Sequence, residues 1–295
     1  MQTHQSAVRL IGTLVSFVAV LFCVGSISAQ KREPAPHGIR VLARTSGLAS
    51  GEISKSRLTA IVDGHPAEVE DVAPASGEPL IFVILLDVSG SMKDEQSFEK
   101  QSALELFRRL AVGRNVGYFG DFNDELYLNR KPASLERAVK ELKEIGDFRG
   151  GTALRYAVVE AAKLVNRSAM GTKNRRIVFV FSDGEDDASK FGLKEVVANL
   201  QSEGVPVFCI GLLGGAKSHQ KSVTELQTLS DSTGGVSILL SEPQEFLPAL
   251  LPHVENQYWL TVASPVAADR KLHSLSVGST DSALRIYVPL AIPLR

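Results

Sequence analysis

The chain has 295 residues, 44% of them hydrophobic and 22% charged, with a formal net charge of −1. These proportions suit one large folded domain or two smaller ones and exclude a disordered chain. The near-neutral balance excludes the basic footprint of a nucleic-acid binder.

Arg9 precedes the mostly apolar stretch Leu10 to Val24, and small residues follow as far as Ala29. This reads as a secretory signal over 1–29, cleaved after Ala29, because the stretch is short for a spanning helix of about 20 residues. The alternative is a retained anchor, which would give the only membrane contact. The expected location is therefore periplasmic or extracellular. Cys23 follows the bulky Phe22 and makes a poor lipoprotein site. Cys209 is then the only cysteine of the mature chain, and its apolar run Val205 to Ile210 marks it as a packing residue.

Residues 30–38 read as a linker. Short strands are expected at Ile39–Leu42, Leu58–Val62 and Ala67–Val69, with a tight turn at Asp63-Gly64. The small, Pro-containing stretch Ala73 to Pro79 marks a boundary. From Ile81 the pattern alternates strand and helix. Ile81 to Leu86 is apolar throughout, as in a strand buried on both faces. A helix should begin near Asp94-Glu95, with Ala103, Leu106, Phe107 and Leu110 inward. Val116–Phe122 is the next strand. Glu125–Leu128 follows too soon for a parallel crossover and must be antiparallel at an edge. Helices are expected after Ser134 and from Gly150-Gly151-Thr152. Strands at Arg176–Phe181, Val205–Ile210 and Val236–Leu240 alternate with helices, one opened by a capping box at Ser222 to Glu225. The last helix, from about Pro243, carries Pro248 and Pro252 and should be irregular.

Past Asn256 the period becomes two, at Tyr258–Val262, Leu272–Val277 and Leu284–Val288. These strands and those of 39–69 cannot make stable sheets separately, so they are expected to pair. The fold class is thus α/β: a doubly wound, mostly parallel six-stranded sheet with one antiparallel edge strand, flanked by a small β-domain built from N- and C-terminal strands. The expected segments are 39–76 (β), 77–255 (α/β) and 256–295 (β).

Three features carry chemistry. Asp87-Val-Ser89-Gly-Ser91 follows the first apolar strand, Gly150-Gly151-Thr152 stands at a helix start, and Ser182-Asp183-Gly184 ends another apolar strand. Ligands of open α/β sheets bind at the carboxyl ends of strands. A carboxylate and two hydroxyls suit a hard cation such as Mg2+. The six histidines, at 4, 37, 65, 219, 253 and 273, have no zinc-like spacing. Glu185-Asp186-Asp187 reads as a solvated helix start, and Lys173, Arg175 and Arg176 as a solvated turn. Thr152 as a mere N-cap is the plain alternative to a ligand role.

These motifs resemble the von Willebrand factor A domain and its metal-ion-dependent adhesion site, with Asp87, Ser89, Ser91, Thr152 and Asp183 each on a motif position. The order of the flanking strands resembles that of exported von Willebrand A-related proteins of Acidobacteria. The resemblance implies that Ser89, Ser91 and, with ligand engaged, Thr152 give oxygens to Mg2+ (or Mn2+ or Ca2+). Asp87 and Asp183 would hold coordinating waters. Gly151 and Glu185 would lie on the rim, and a partner protein would offer an Asp or Glu carboxylate. The expected function is non-enzymatic, metal-dependent protein binding. The alternative, a Mg2+-dependent hydrolase or phosphotransferase, lacks an Asp-x-Asp pair, a Gly-x-x-x-x-Gly-Lys loop and a Gly-x-Ser-x-Gly elbow.

Overall fold

A computed structural model describes residues 37–47, 53–146, 148–169, 173–212, 220–240 and 246–294. The expected signal and most of the linker lie outside them.

The centre is a six-stranded sheet built from β5 (Leu80–Asp87), β6 (Val116–Phe122), β7 (Leu126–Leu128), β8 (Arg175–Ser182), β9 (Val207–Leu212) and β10 (Val236–Leu240). Its order is β10-β9-β8-β5-β6-β7. All neighbours are parallel except β6 and β7, whose short link leaves no room for a crossover. Every residue of β5 is buried. Its even-numbered side chains Phe82, Ile84 and Leu86 pack with Phe107, Phe119, Phe179 and Phe208 under α1 (Gln96–Leu110), α2 (Leu135–Glu144) and α6 (Phe246–Glu255). The odd-numbered Ile81, Val83 and Leu85 meet smaller aliphatic residues under α3 (Leu154–Ser168), α4 (Leu193–Glu203) and α5 (Gln220–Ser232). Truncating an aromatic ring such as Phe82 to alanine in this core costs about 3–5 kcal/mol. Cys209 lies in the aliphatic layer, and burial pushes its thiol up to about 12.

The chain leaves β5 for β6 on one side and later returns to β8 on the other. The switch point therefore lies between the carboxyl ends of β5 and β8, where such sheets open a crevice.

The flanking strands pair as their shared shortfall of partners requires. β1 (His37–Ser46), β4 (Val69–Pro74), β11 (Gln257–Ser264) and β13 (Arg285–Tyr287) form a sheet of order β13-β1-β11-β4. β2 (Leu58–Val62), β3 (His65–Ala67), β12 (Leu272–Ser279) and β14 (Ala291–Pro293) form another, of order β14-β12-β2-β3. Val41, Ala43, Val62, Leu260, Val262, Leu275 and Ile292 from both sheets share one core, so the pair is a sandwich.

Several local expectations need correction. The boundary stretch Ala73 to Pro79 begins with the last two residues of β4, which pair with Trp259 and Tyr258 of β11, and its remainder links β4 to β5. Ser222 does not cap a helix: α5 already runs from Gln220, and Ser222 and Glu225 are buried within it. α3 begins at Leu154 rather than at the glycines. A 3-10 turn, Gly90–Glu95, precedes α1. The stretch 241–245, with Pro243, lies outside the described residues. Pro248 falls in the first turn of α6, where its missing N–H is harmless, whereas Pro252 sits inside the helix. Arg175 is not in a solvated turn. It is buried, donating to Val254 O at 2.8 Å and Gln257 Oε1 at 3.3 Å, and so ties the end of α6 to the start of β11.

Candidate functional site at the carboxyl edge of the sheet

Asp87 is the last residue of β5 and is fully buried. Its Oδ1 accepts the Ser89 amide at 3.0 Å, and its Oδ2 accepts the Ser182 hydroxyl at 2.6 Å. The turn these bonds close brings Ser89 Oγ within 3.1 Å of Ser91 Oγ. Ser89 is buried, and Ser91 is exposed at the start of the 3-10 turn. Desolvation, with the nearby Asp183 charge adding to it, pushes the Asp87 carboxyl up to about 7 against the hydrogen bonds from Ser182 and Ser89.

Asp183 stands just past β8, half-buried, its Oδ1 accepting the Glu185 amide at 3.0 Å. Gly184 has φ +86°, and a Cβ there would lie 2.4 Å from Ser222 O, so the turn that presents Asp183 requires glycine. Glu185 is exposed.

Thr152 reaches the same edge through its loop. Gly90 N donates to Gly150 O at 3.2 Å, and Arg149 N to Val88 O at 2.9 Å, which stitches the Thr152 loop to the Asp87 loop. Thr152 is not an N-cap: Ala153 holds that position, and among the described residues the Thr152 hydroxyl makes no hydrogen bond although the residue is buried. No side-chain bond joins Thr152 to Asp87, Ser89, Ser91 or Asp183 among the described residues. Gly151 is half-buried, and a Cβ there would fall 2.6 Å from Asp187 Oδ1, so a small residue is required.

The expected solvated helix start holds for the exposed Glu185 and Asp187 and fails for Asp186, whose side chain is buried. Asp187 Oδ1 accepts the Thr152 amide at 2.7 Å, and Asp186 Oδ2 accepts the Arg155 amide at 2.8 Å. Asp186 thus satisfies an orphan amide in the first turn of α3, and Asp187 holds the amide just before its N-cap, where negative charge suits the helix's positive end. Arg155 then grips Glu225 through two bonds of 2.6 and 2.7 Å and lies 3.7 Å from Asp186.

Glu99 was invisible as a site residue. It is fully buried on α1, its Oε1 accepts the Asp87 amide at 2.8 Å, and among the described residues its Oε2 has no partner. Burial, with Asp87 nearby, holds its carboxyl well above the usual range. The signal was its place one turn before Ala103, on the buried stripe of α1.

The donor set fits a hard divalent cation. Oxygens about 3 Å apart are spaced as adjacent ligands of an octahedral ion with metal–oxygen distances of about 2.1 Å. Ser89 Oγ and Ser91 Oγ have that spacing, and the unpartnered Thr152 hydroxyl stands in the loop stitched to theirs. Among the described residues no three His, Cys, Asp or Glu side chains gather as a metal cluster, so a cation here would rest largely on hydroxyls.

Comparison with known proteins fixes the class. The family model of the von Willebrand factor type A domain matches residues 82–248. The chain belongs to that family, whose domains generally mediate protein–protein interactions. Among solved structures, a von Willebrand factor type A protein from Catenulispora acidiphila is similar at TM-score 0.51 and 12% identity, over 90% of this chain and 75% of that one. An aerotolerance-related membrane protein from Bacteroides fragilis gives TM-score 0.45 and 17% identity, over 59% of this chain and 98% of that one. The conserved hypothetical protein BatB from Bacteroides thetaiotaomicron gives 0.46 and 17%, over 58% and 94%. No curated protein matches. Among the described residues no helix is long and apolar enough to cross a membrane.

Proposed function

We propose that this chain is an exported, metal-dependent protein-binding module whose site takes an Asp or Glu carboxylate from a partner. Ser89, Ser91 and Thr152 would hold Mg2+ by their hydroxyls, with Asp87 and Asp183 supplying negative charge around it. Mn2+ or Ca2+ would suit the same oxygens. The observation that carries the reading is the Ser89–Ser91 hydroxyl pair at 3.1 Å, set against a carboxylate already oriented by two hydrogen bonds. A cation so held, with neutral hydroxyls among its ligands, would keep net positive charge and an open position for an acidic side chain.

The chain's own contribution is orientation. Ser182 and the Ser89 amide fix the Asp87 carboxylate, Glu99 holds the Asp87 backbone, and Asp187 fixes the Thr152 backbone. Ser91 and Glu185 are exposed beside the buried oxygens, leaving an approach for a protein ligand.

The test is affinity capture from the native host with the full chain, in Mg2+ and in EDTA. A partner retained in Mg2+, released by EDTA and not captured by Asp87→Asn is the expected result. A partner held equally in EDTA, or Mg2+-dependent release of phosphate from p-nitrophenyl phosphate, contradicts the reading.

A further inference from the structure

We propose that the open edge of β1 is a second binding site, independent of the metal, that takes an extended polypeptide segment of a partner as an added strand. β1 pairs with β11 over residues 37–44 but with β13 only over Arg44–Ser46. The direction of each peptide group follows from the ladder. Thr45 N donates to Asn256 O at 3.0 Å, so Thr45 bonds toward β11. Alternation in an antiparallel pair then turns Ala43, Val41 and Ile39 toward β11, and Arg44, Leu42, Arg40 and Gly38 away from it. Arg44 has β13 as its outward partner. Among the described residues Leu42, Arg40 and Gly38 have no backbone partner on that side.

This edge faces a cavity of about 290 Å³. Consecutive residues from Gly38 to Leu42 line it, and their side chains point alternately to the two faces of the sheet, so the space runs along the edge. Ile292 of β14 and Leu294 just beyond it bound it on one side, Asn166 and Glu203 of the α/β domain on another.

The occupant follows from this chemistry. Arg40 already stacks on Trp259 at 3.9 Å, and both side chains bond Glu78 at 2.7 Å, so the unmet groups are backbone N–H and C=O. An extended peptide supplies their complements at the same two-residue repeat. Five edge residues span about 17 Å. Residues of the added strand on the Ile39/Val41 side would meet Ile292 and Leu294 and should be apolar. The opposite set would face Asn166 and Glu203 and should be polar. A second copy is disfavoured, because two-fold pairing about Arg40 would set like charges opposite each other.

The experiment selects a phage-displayed library of random octapeptides against the full chain in EDTA, so that capture at the metal site makes no contribution. The expected winners alternate apolar and polar residues. Arg40→Pro, which deletes one outward N–H on an edge that tolerates proline, should weaken a winning synthetic peptide about tenfold or more. Arg40→Ala, which keeps that N–H, should stay within about threefold of the parent, since the lost side chain is engaged by Glu78 and Trp259 rather than by the peptide. Amide hydrogen exchange on the unmodified chain keeps the test valid if Arg40→Pro misfolds: the Arg40 and Leu42 amides should slow when peptide binds. Absence of any enriched peptide, equal binding by the two Arg40 variants, or unchanged Arg40 and Leu42 exchange overturns the proposal. So does a dimer in sedimentation that Arg40→Pro dissolves, since that would give the edge to a second copy.

Discussion

At one end of the sandwich, Asp63 and Asp269 close on His273 from both sides, at 2.5 Å to Nδ1 and 2.7 Å to Nε2. Their hydrogen bonds raise the imidazole's affinity for its second proton, and the imidazole lowers both carboxyls, Asp269 to about 2. At the mouth of the six-stranded sheet, Asp87 and Glu99 are fully buried, and the bonds they accept come from hydroxyls and backbone amides. Both of these carboxyls are raised. A cluster that carries its own cation is complete, and a buried acidic cluster that does not is costly unless a cation arrives. Arg155 sharpens the contrast, because it supplies the cation for Glu225 and Asp186 beside the edge where, among the described residues, no basic side chain bonds Asp87.

The largest expected effect comes from turning a complete cluster into an incomplete one. Arg155→Met strands the buried Glu225 and Asp186 and should cost about 3–5 kcal/mol in urea unfolding. If the loss is under about 1 kcal/mol, the pairing is not what settles those carboxylates. Next is Glu99. Glu99→Leu removes the acceptor of the Asp87 amide and should cost about 1–3 kcal/mol, whereas Glu99→Gln keeps an acceptor and should be near neutral in EDTA. Equal losses in the two would mean that packing, not the amide bond, is what Glu99 provides.

The pH dependence separates the clusters by sign. The folded-state value of His273 lies above its ordinary 6.5, so its contribution is full below 6.5 and fades as pH rises through the raised value. Asp269 falls from 3.8 to about 2, so its contribution is present above 3.8 and fades as pH drops toward 2. Asp87 runs the other way. With its carboxyl raised from 3.8 to about 7, the metal-free fold loses stability as pH climbs through that interval. In EDTA, Asp87→Asn should therefore melt above the parent chain at pH 7.5 and level with it at pH 3.5. The His273→Gln melting curve should converge on the parent's as pH rises above 6.5. A parent chain less stable in EDTA at pH 4.5 than at pH 7.5, with Asp87→Asn abolishing the difference, would reverse the assignment for Asp87. The smallest effect expected is that of Thr152→Ala, which should weaken partner binding more than Mg2+ binding, because a group that acts in one state biases only that state. Equal losses would place Thr152 in the resting shell.

Periodicity made the six-stranded sheet legible. Fully apolar runs such as Ile81–Leu86 can sit only between two helical layers, and the two-residue link after Phe122 allowed only an antiparallel edge. The pairing of the flanks was legible from their lack of partners, but β14 was not, since Ala291–Pro293 is too short to show a period. Of the site, Asp87, Ser89 and Ser91 lie together in sequence, and their hydrogen bonds follow from one turn. Asp186 and Asp187 read as a solvated helix start, and nothing in the sequence singles out Glu99 or Arg155. Their roles depend on partners 12 to 70 positions away, which no local pattern encodes.

Where Arg155 and His273 serve the other carboxylates, the buried Asp87 at the sheet mouth should take Mg2+. Calorimetric titration of Mg2+ into the full chain and into Asp87→Asn tests it most directly. One binding event is expected in the parent chain, lost in the variant while its circular dichroism is unchanged. Equal Mg2+ affinity in the two proteins would contradict it.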